Sequence, residues 1–161
     1  MRPDDGTPHR VVVHDADAMR RLGEEVAKGC RSGDVVLLSG PLGAGKTTFT
    51  QGLAAGLGVA GPVTSPTFVI ARVHRSTVGG PDLVHVDAYR LGGLAELEDL
   101  DLDASLAESV TVVEWGEGLA ETLSPEVVRV QIERDSDPHT PGTPVPDERR
   151  VTLMWPPGRR G

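Results

Sequence analysis

Gly40-Pro41-Leu42-Gly43-Ala44-Gly45-Lys46-Thr47 is the most informative segment of the chain. It fits G-x-x-x-x-G-K-[ST], a loop that binds phosphate. The residues before it, Val35-Val36-Leu37-Leu38-Ser39, are short, apolar and rich in β-branching, as a buried strand requires. After it, Phe49, Leu53 and Leu57 recur every fourth position and make one face of a helix. Strand, loop and helix in that order separate a working loop from a chance match. Gly40, Gly43 and Gly45 let the backbone curl until its N–H groups converge on an anion. The helix that opens near Gly45 adds the positive end of its dipole. The expected nucleotide-binding set is therefore Gly40, Leu42, Gly43, Ala44, Gly45, Lys46, Thr47 and Thr48. Lys46 reaches β- and γ-phosphates and Thr47 holds Mg²⁺ through its hydroxyl in such loops. Lys28 and Lys46 are the only lysines in a chain that otherwise uses arginine.

A length of 161 residues predicts one domain, too short for a nucleotide domain plus a separate substrate domain. Net charge is −8 and the pI about 5.0, which argues against a broad grip on nucleic acid. DNA is thus not expected as a partner, and RNA only through another protein. Cys30 is the one cysteine, so an internal disulfide and a cysteine-rich zinc site are excluded. No apolar run is long enough to span a bilayer and the N-terminus is polar, so a cytoplasmic protein without membrane contact is expected.

Working outward, residues 9–14 predict a strand. Asp15 or Asp17 caps a following helix whose face is Met19, Leu22, Val26 and Cys30, ending near Gly33. The helix after the loop stops at 56–58. Residues 67–74 and 83–87 predict two strands joined by the Gly-Pro turn at 76–82, hence an antiparallel pair. Residues 91–107 read as helical in pieces, with five carboxylates inside 96–103, a solvated acidic face or a docking patch. A strand over 110–113 ends at Glu114, and a short helix over 117–123 stops at Pro125. Residues 127–133 and 150–155 predict a terminal pair of strands. Between them, 134–149 is dense in Pro, Asp, Ser and Thr and reads as a mobile loop; the tail after Trp155 reads as frayed.

Hydrolysis also needs a second carboxylate beside the metal and a group to orient water. Two apolar strands end in one: Leu83-Val84-His85-Val86-Asp87 and Val110-Thr111-Val112-Val113-Glu114. In a parallel sheet such ends lie beside the loop. Spacing does not decide which of Asp87 and Glu114 holds Mg²⁺ and which polarises water. Only five aromatics occur, and three of them, Phe68, Tyr89 and Trp115, fall in the candidate site segments 64–68, 85–90 and 114–117. They point to a wall or partner surface near the nucleotide, or to plain core packing. Arg90 is placed to touch phosphate or to pair with the acidic stretch.

Four segments together resemble the TsaE (YjeE) family of tRNA threonylcarbamoyladenosine biosynthesis ATPases: 40–49, Thr-Ser-Pro-Thr-Phe at 64–68, His-Val-Asp-Ala-Tyr-Arg-Leu at 85–91 and Val-Glu-Trp-Gly-Glu at 113–117. The resemblance covers roughly residues 10–133. It implies an α/β P-loop NTPase fold, three-layered, with a central mixed and mostly parallel sheet flanked by helices. The implied activity is slow ATP hydrolysis supporting TsaB and TsaD, which place threonylcarbamoyl on an adenosine beside the anticodon of tRNA. The implied roles are Lys46 for phosphates, Thr47 and Glu114 for Mg²⁺, and Asp87 as the Walker B carboxylate. Ser65 and Thr67 look like part of a switch loop, Tyr89, Arg90 and Trp115 like switch or partner residues, and Asp15 marks the adenine side. Gly116 stands where the family has a proline after the tryptophan, and Ala88 where a larger apolar residue is common.

Two alternatives remain at this stage. A small-molecule kinase of the same superfamily would want a lid with several arginines, which is not visible. A non-hydrolytic ATP switch would share nearly every residue named above. GTP is disfavoured because no N-K-x-D motif is present.

Overall fold

The computed structural model describes residues 7–41, 45–59, 71–87, 107–114, 126–134 and 148–157. Their elements run β1 (His9–Val13), α1 (Ala16–Gly29), β2 (Val35–Ser39), α2 (Lys46–Leu57), β3 (Ala71–His74), β4 (Asp82–Asp87), β5 (Ser109–Glu114), β6 (Val127–Arg134) and β7 (Arg149–Met154).

The apolar run of β2 explains its place. All four residues from Val35 to Leu38 are buried, which needs a strand covered on both faces and paired on both edges. It pairs parallel with β5 on one side and with β6 on the other. The seven strands form one sheet in the order β1-β7-β6-β2-β5-β4-β3. β4 continues the parallel set beside β5. The antiparallel pairings, β3 with β4, β7 with β6 and β1 with β7, are confined to the flanks. The sheet is therefore mixed, with a parallel centre holding the loop strand.

The expected antiparallel pair at 67–87 is present from Ala71 to Asp87. Its turn is tied by the Ser76 N–H, which donates to Asp82 Oδ1 at 2.6 Å. Ser76 Oγ in turn accepts from the N–H groups of Val78 and Gly80 at 3.2 and 3.0 Å. The terminal pair β6–β7 runs one residue further at each inner end than hydropathy indicates, since Arg134 pairs with Arg149. A ladder is made by backbone groups, so an arginine can extend it.

Helix α1 differs from expectation at its end. It stops at Gly29, and Cys30 is an extended cap whose N–H bonds Ala27 O. The chain then spends Arg31–Asp34 on a turn. Asp34 N–H donates to Arg31 O at 3.1 Å, and Asp34 Oδ2 accepts from Arg31 N–H at 2.7 Å. An aspartate that closes a turn through its own backbone competes with one more helical turn, and here it wins. The buried face also includes Gly23, which the apolar pattern does not mark.

That glycine positions the helices. A Cβ on Gly23 would overlap Phe49 O, and one on Gly52 would overlap Arg20 O. α1 and α2 thus meet backbone to backbone. Behind this seam lies the core of Met19, Val26, Phe49 and Leu53, packed on Val36, Leu38, Val110, Val112 and Val128 of the sheet. Phe49 and Leu53 are fully buried, each worth about 1.5–3 kcal/mol in removed apolar surface. Val84, Val86 and Val113, which alternate with the site-facing residues of β4 and β5, are buried as well, so the opposite face of these strands is also shielded from water.

The helices expected over 91–107 and 117–123, the start of the strand at 67–70, and most of the segment 134–149 fall outside the described residues. Among the described residues, no helix is long and apolar enough to cross a membrane.

Candidate functional site

Helix α2 opens in an unusual way. Its N-cap is Gly45, at φ 108° and ψ 19°, and no side chain caps it. No acidic residue lies in its first turn. The first intrahelical bond, Phe49 N–H to Gly45 O, is 2.9 Å. The N–H groups ahead of it have no intrahelical acceptor, and they sit at the positive end of the helix dipole. A Cβ on Gly45 would lie 3.3 Å from Met19 Cε, besides the strain of positive φ. Glycine is thus required by the backbone angle, while the Met19 methyl, at the end of a flexible side chain, would need to give by only a few tenths of an ångström.

Lys46 follows at once. It is only 8% exposed, and its Nζ donates to Gly40 O at 2.9 Å. The side chain therefore reaches back to the residue that follows β2. Glu114 Oε1 stands 4.0 Å from the same Nζ, beyond direct hydrogen-bond reach. The other oxygen, Oε2, is 2.6 Å from His85 Nε2. Glu114 is 5% exposed and His85 is fully buried. A buried ammonium and a buried carboxylate are tolerable only with partners. Here each has one, and the two charges face each other across a short gap.

The strands place these groups by their two-residue period. In β5, Val110, Val112 and Glu114 share a face; in β4, Leu83, His85 and Asp87 do. Leu83, Val110 and Val112 lie in the core under α2, so His85, Asp87 and Glu114 point to the same side as the loop. Register completes the arrangement: Glu114 is level with Leu38 at the end of β2 and with Asp87 at the end of β4. Both strand-end carboxylates reach the edge where β2 enters the loop, as parallel α/β sheets arrange their sites. Asp87 is half-buried, more open than Glu114.

Gly40, Lys46 and Glu114 therefore come together, with Asp87 level with Glu114 and Gly45, Thr47 and Thr48 at the start of α2. Asp15 is the N-cap of α1, its Oδ1 accepting from Ala18 N–H at 2.7 Å. Leu42, Gly43, Ala44, Ser65, Thr67, Tyr89, Arg90 and Trp115 lie outside the described residues. His85 belongs to the site although no motif marks it as a functional residue. The signal was available: an imidazole inside an otherwise apolar buried strand demands a polar partner, and alternation sets it on the face of Asp87. Among the described residues, no three His, Cys, Asp or Glu side chains converge to hold a metal ion unaided. The donors that are present, the carboxylates of Glu114 and Asp87, are of the oxygen type of which Mg²⁺ takes one or two beside its waters and phosphate oxygens.

A strand running into a glycine-rich loop, a helix start without a capping side chain, a buried lysine and two strand-end carboxylates define a P-loop NTPase fold. The description of the family whose model matches residues 13–141 is threonylcarbamoyl adenosine biosynthesis protein TsaE. The tRNA threonylcarbamoyladenosine biosynthesis protein TsaE of Streptomyces coelicolor is 67% identical over 117 residues, covering 72% of this chain and 79% of that protein. Its counterpart in Bacillus subtilis is 39% identical over 135 residues, covering 83% and 77%. The crystal structure of YdiB from the same species superposes with a TM-score of 0.66 at 31% identity, covering 92% of this chain and 86% of that one. The chain belongs to the TsaE family.

Proposed function

We propose that this protein is a Mg²⁺-dependent ATPase that serves threonylcarbamoyladenosine modification of tRNA beside the anticodon, in concert with TsaB and TsaD. The observation that carries the reading is the buried Lys46 and Glu114 facing each other at the open start of α2. Such a pair supplies a cation for phosphate and an anion for metal, side by side in a poorly hydrated place. Electrostatic stabilisation is stronger there than in water.

In this reading the first-turn N–H groups of α2 and the loop from Gly40 to Thr48 bind phosphate oxygens, and Lys46 holds the β- and γ-phosphates. Thr47 and Glu114 would hold Mg²⁺, which neutralises charge on the transferring phosphoryl group when bound. Asp87, level with Glu114 but more open to solvent, is assigned to orienting water. The adenine side is assigned to the β1–α1 corner at Asp15. Ser65 and Thr67 are assigned to a switch loop, and Tyr89, Arg90 and Trp115 to the partner or switch surface. The acidic net charge leaves tRNA contact to the partners and suits a cytoplasmic protein.

The test is ATP hydrolysis with Mg²⁺, with and without TsaB and TsaD, scored beside tRNA modification. Turnover that rises with the partners and disappears in Lys46→Ala, together with modification, is the expected result. Phosphoryl transfer to a nucleoside or metabolite well above hydrolysis would reassign the chain to the kinases. A Glu114→Ala variant that binds ATP and still supports modification would make it a non-hydrolytic switch.

A further inference from the structure

We infer that His85 is a positioning residue, holding one oxygen of Glu114 so that the other stays directed at Lys46. The inference rests on the ATPase reading above, and it concerns how the metal-side carboxylate is kept in place.

Three observations carry it. The first is the contact: His85 Nε2 lies 2.6 Å from Glu114 Oε2, between side chains that are fully buried and nearly so. A carboxylate only accepts, so in this contact Nε2 carries the hydrogen. The second is division of labour between the two oxygens. Oε2 is taken by the imidazole, while Oε1 is the atom 4.0 Å from Lys46 Nζ. With one oxygen fixed, the carboxylate does not rotate to spend both on the lysine. The third is what the strand gives up. His85 Nδ1 is buried and has no hydrogen-bond partner among the described residues. A position needed only for packing would be better filled by leucine, which leaves no polar atom unpaired. A strand that is otherwise Leu, Val and Val at its buried positions keeps an imidazole with one bare nitrogen. Its gain is the bond to Glu114. Groups that orient a metal ligand typically change metal affinity or activity by 10- to 100-fold when removed.

The experiment has two arms. Imidazole ¹⁵N–¹H correlation spectra of the wild-type protein report which ring nitrogen of His85 carries hydrogen, with no variant and no nucleotide. The expected result is Nε2–H; an Nδ1–H tautomer overturns the proposal. Binding of a fluorescent ATP derivative is then titrated against MgCl₂ for wild type, His85→Leu and His85→Gln. For His85→Leu, the Mg²⁺ needed for half-maximal effect should rise about 10- to 100-fold, with binding in the absence of metal little changed. His85→Gln, whose amide N–H sits near the place of ring Nε2, should recover most of the loss. A wild-type Mg²⁺ dependence in His85→Leu, or equal losses in both variants, would refute the positioning role. If wild-type protein binds no ATP derivative at all, the ATPase reading itself is overturned, whereas the tautomer still reports on the His85–Glu114 contact.

Discussion

The two helices that pack against each other are finished in opposite ways. Helix α1 is capped by its own side chains: Asp15 bonds Ala18 N–H, Asp17 sits in the first turn and Lys28 in the last. Each choice complements the helix dipole. Helix α2 has none of these; a left-handed glycine precedes it, and neither terminal turn carries a charge of complementary sign. Its first residue is instead a buried lysine, which faces a carboxylate held by histidine. The contrast teaches that missing local stabilisation marks function. A helix meant only to hold the fold satisfies its own ends. One meant to receive an anion leaves its first N–H groups for the ligand.

The contrast breaks most sharply at Lys46. On the proposed ATPase reading, Lys46→Ala should lower ATP turnover by more than about 100-fold, since it removes the charge assigned to the transferring phosphate. Thr47→Ala should follow it. Turnover that survived Lys46→Ala would mean that the open start of α2 is not the site. The seam between the helices comes next. Gly52→Ala forces a methyl into Arg20 O and should destabilise the protein by about 1–3 kcal/mol, read as a lower urea midpoint. An unchanged midpoint would show that α1 can shift without penalty. At the N-cap of α1, Asp15→Ala should lower stability by about 1 kcal/mol while turnover at saturating ATP is kept. Equal damage to both would erase the difference between the two helix starts.

The smallest effect belongs to the exposed pair on α1. Lys28 Nζ donates to Glu25 Oε1 at 2.8 Å. That hydrogen bond, and then the charge of Lys28, hold the Glu25 carboxyl below its ordinary value, and Glu25 raises Lys28 in return. The contribution through Glu25 is complete above the ordinary glutamate range and is lost as pH falls through its lowered folded value. The contribution through Lys28 is complete below the ordinary lysine range and is lost as pH rises through its raised folded value. Both groups are solvated, so Lys28→Ala should leave the melting temperature unchanged. A measurable drop would show that α1 depends on its surface charges.

Much of this arrangement is legible in the chain before any coordinates. The loop at 40–47 places β2 and α2, because glycine spacing and a lysine at a fixed offset act over eight neighbouring residues. The strands ending at Asp87 and Glu114 are legible because apolar runs show where a sheet is buried. The Ser76–Asp82 hairpin follows from its short Gly-Pro link. Less legible is the end of α1, where Met19, Leu22, Val26 and Cys30 suggest a longer helix. The aspartate turn at Arg31–Asp34 stops it instead. The outer rungs Arg134 and Arg149 are missed for a related reason: hydropathy reports side chains, whereas pairing uses the backbone.

Read without coordinates, the chain already has a glycine-rich loop between a buried strand and a helix, and two strands that end in acids. Those features are local, set by periodicity and by the angles glycine alone adopts. Which acid faces the lysine follows from the way the strands are assembled. So do the hold of His85 on Glu114 from 29 residues away, and the backbone contact of two helices at Gly23 and Gly52. Those features depend on strand order and register. They arise when β4, β5 and β2 are laid side by side, and no window of sequence contains more than one of the partners.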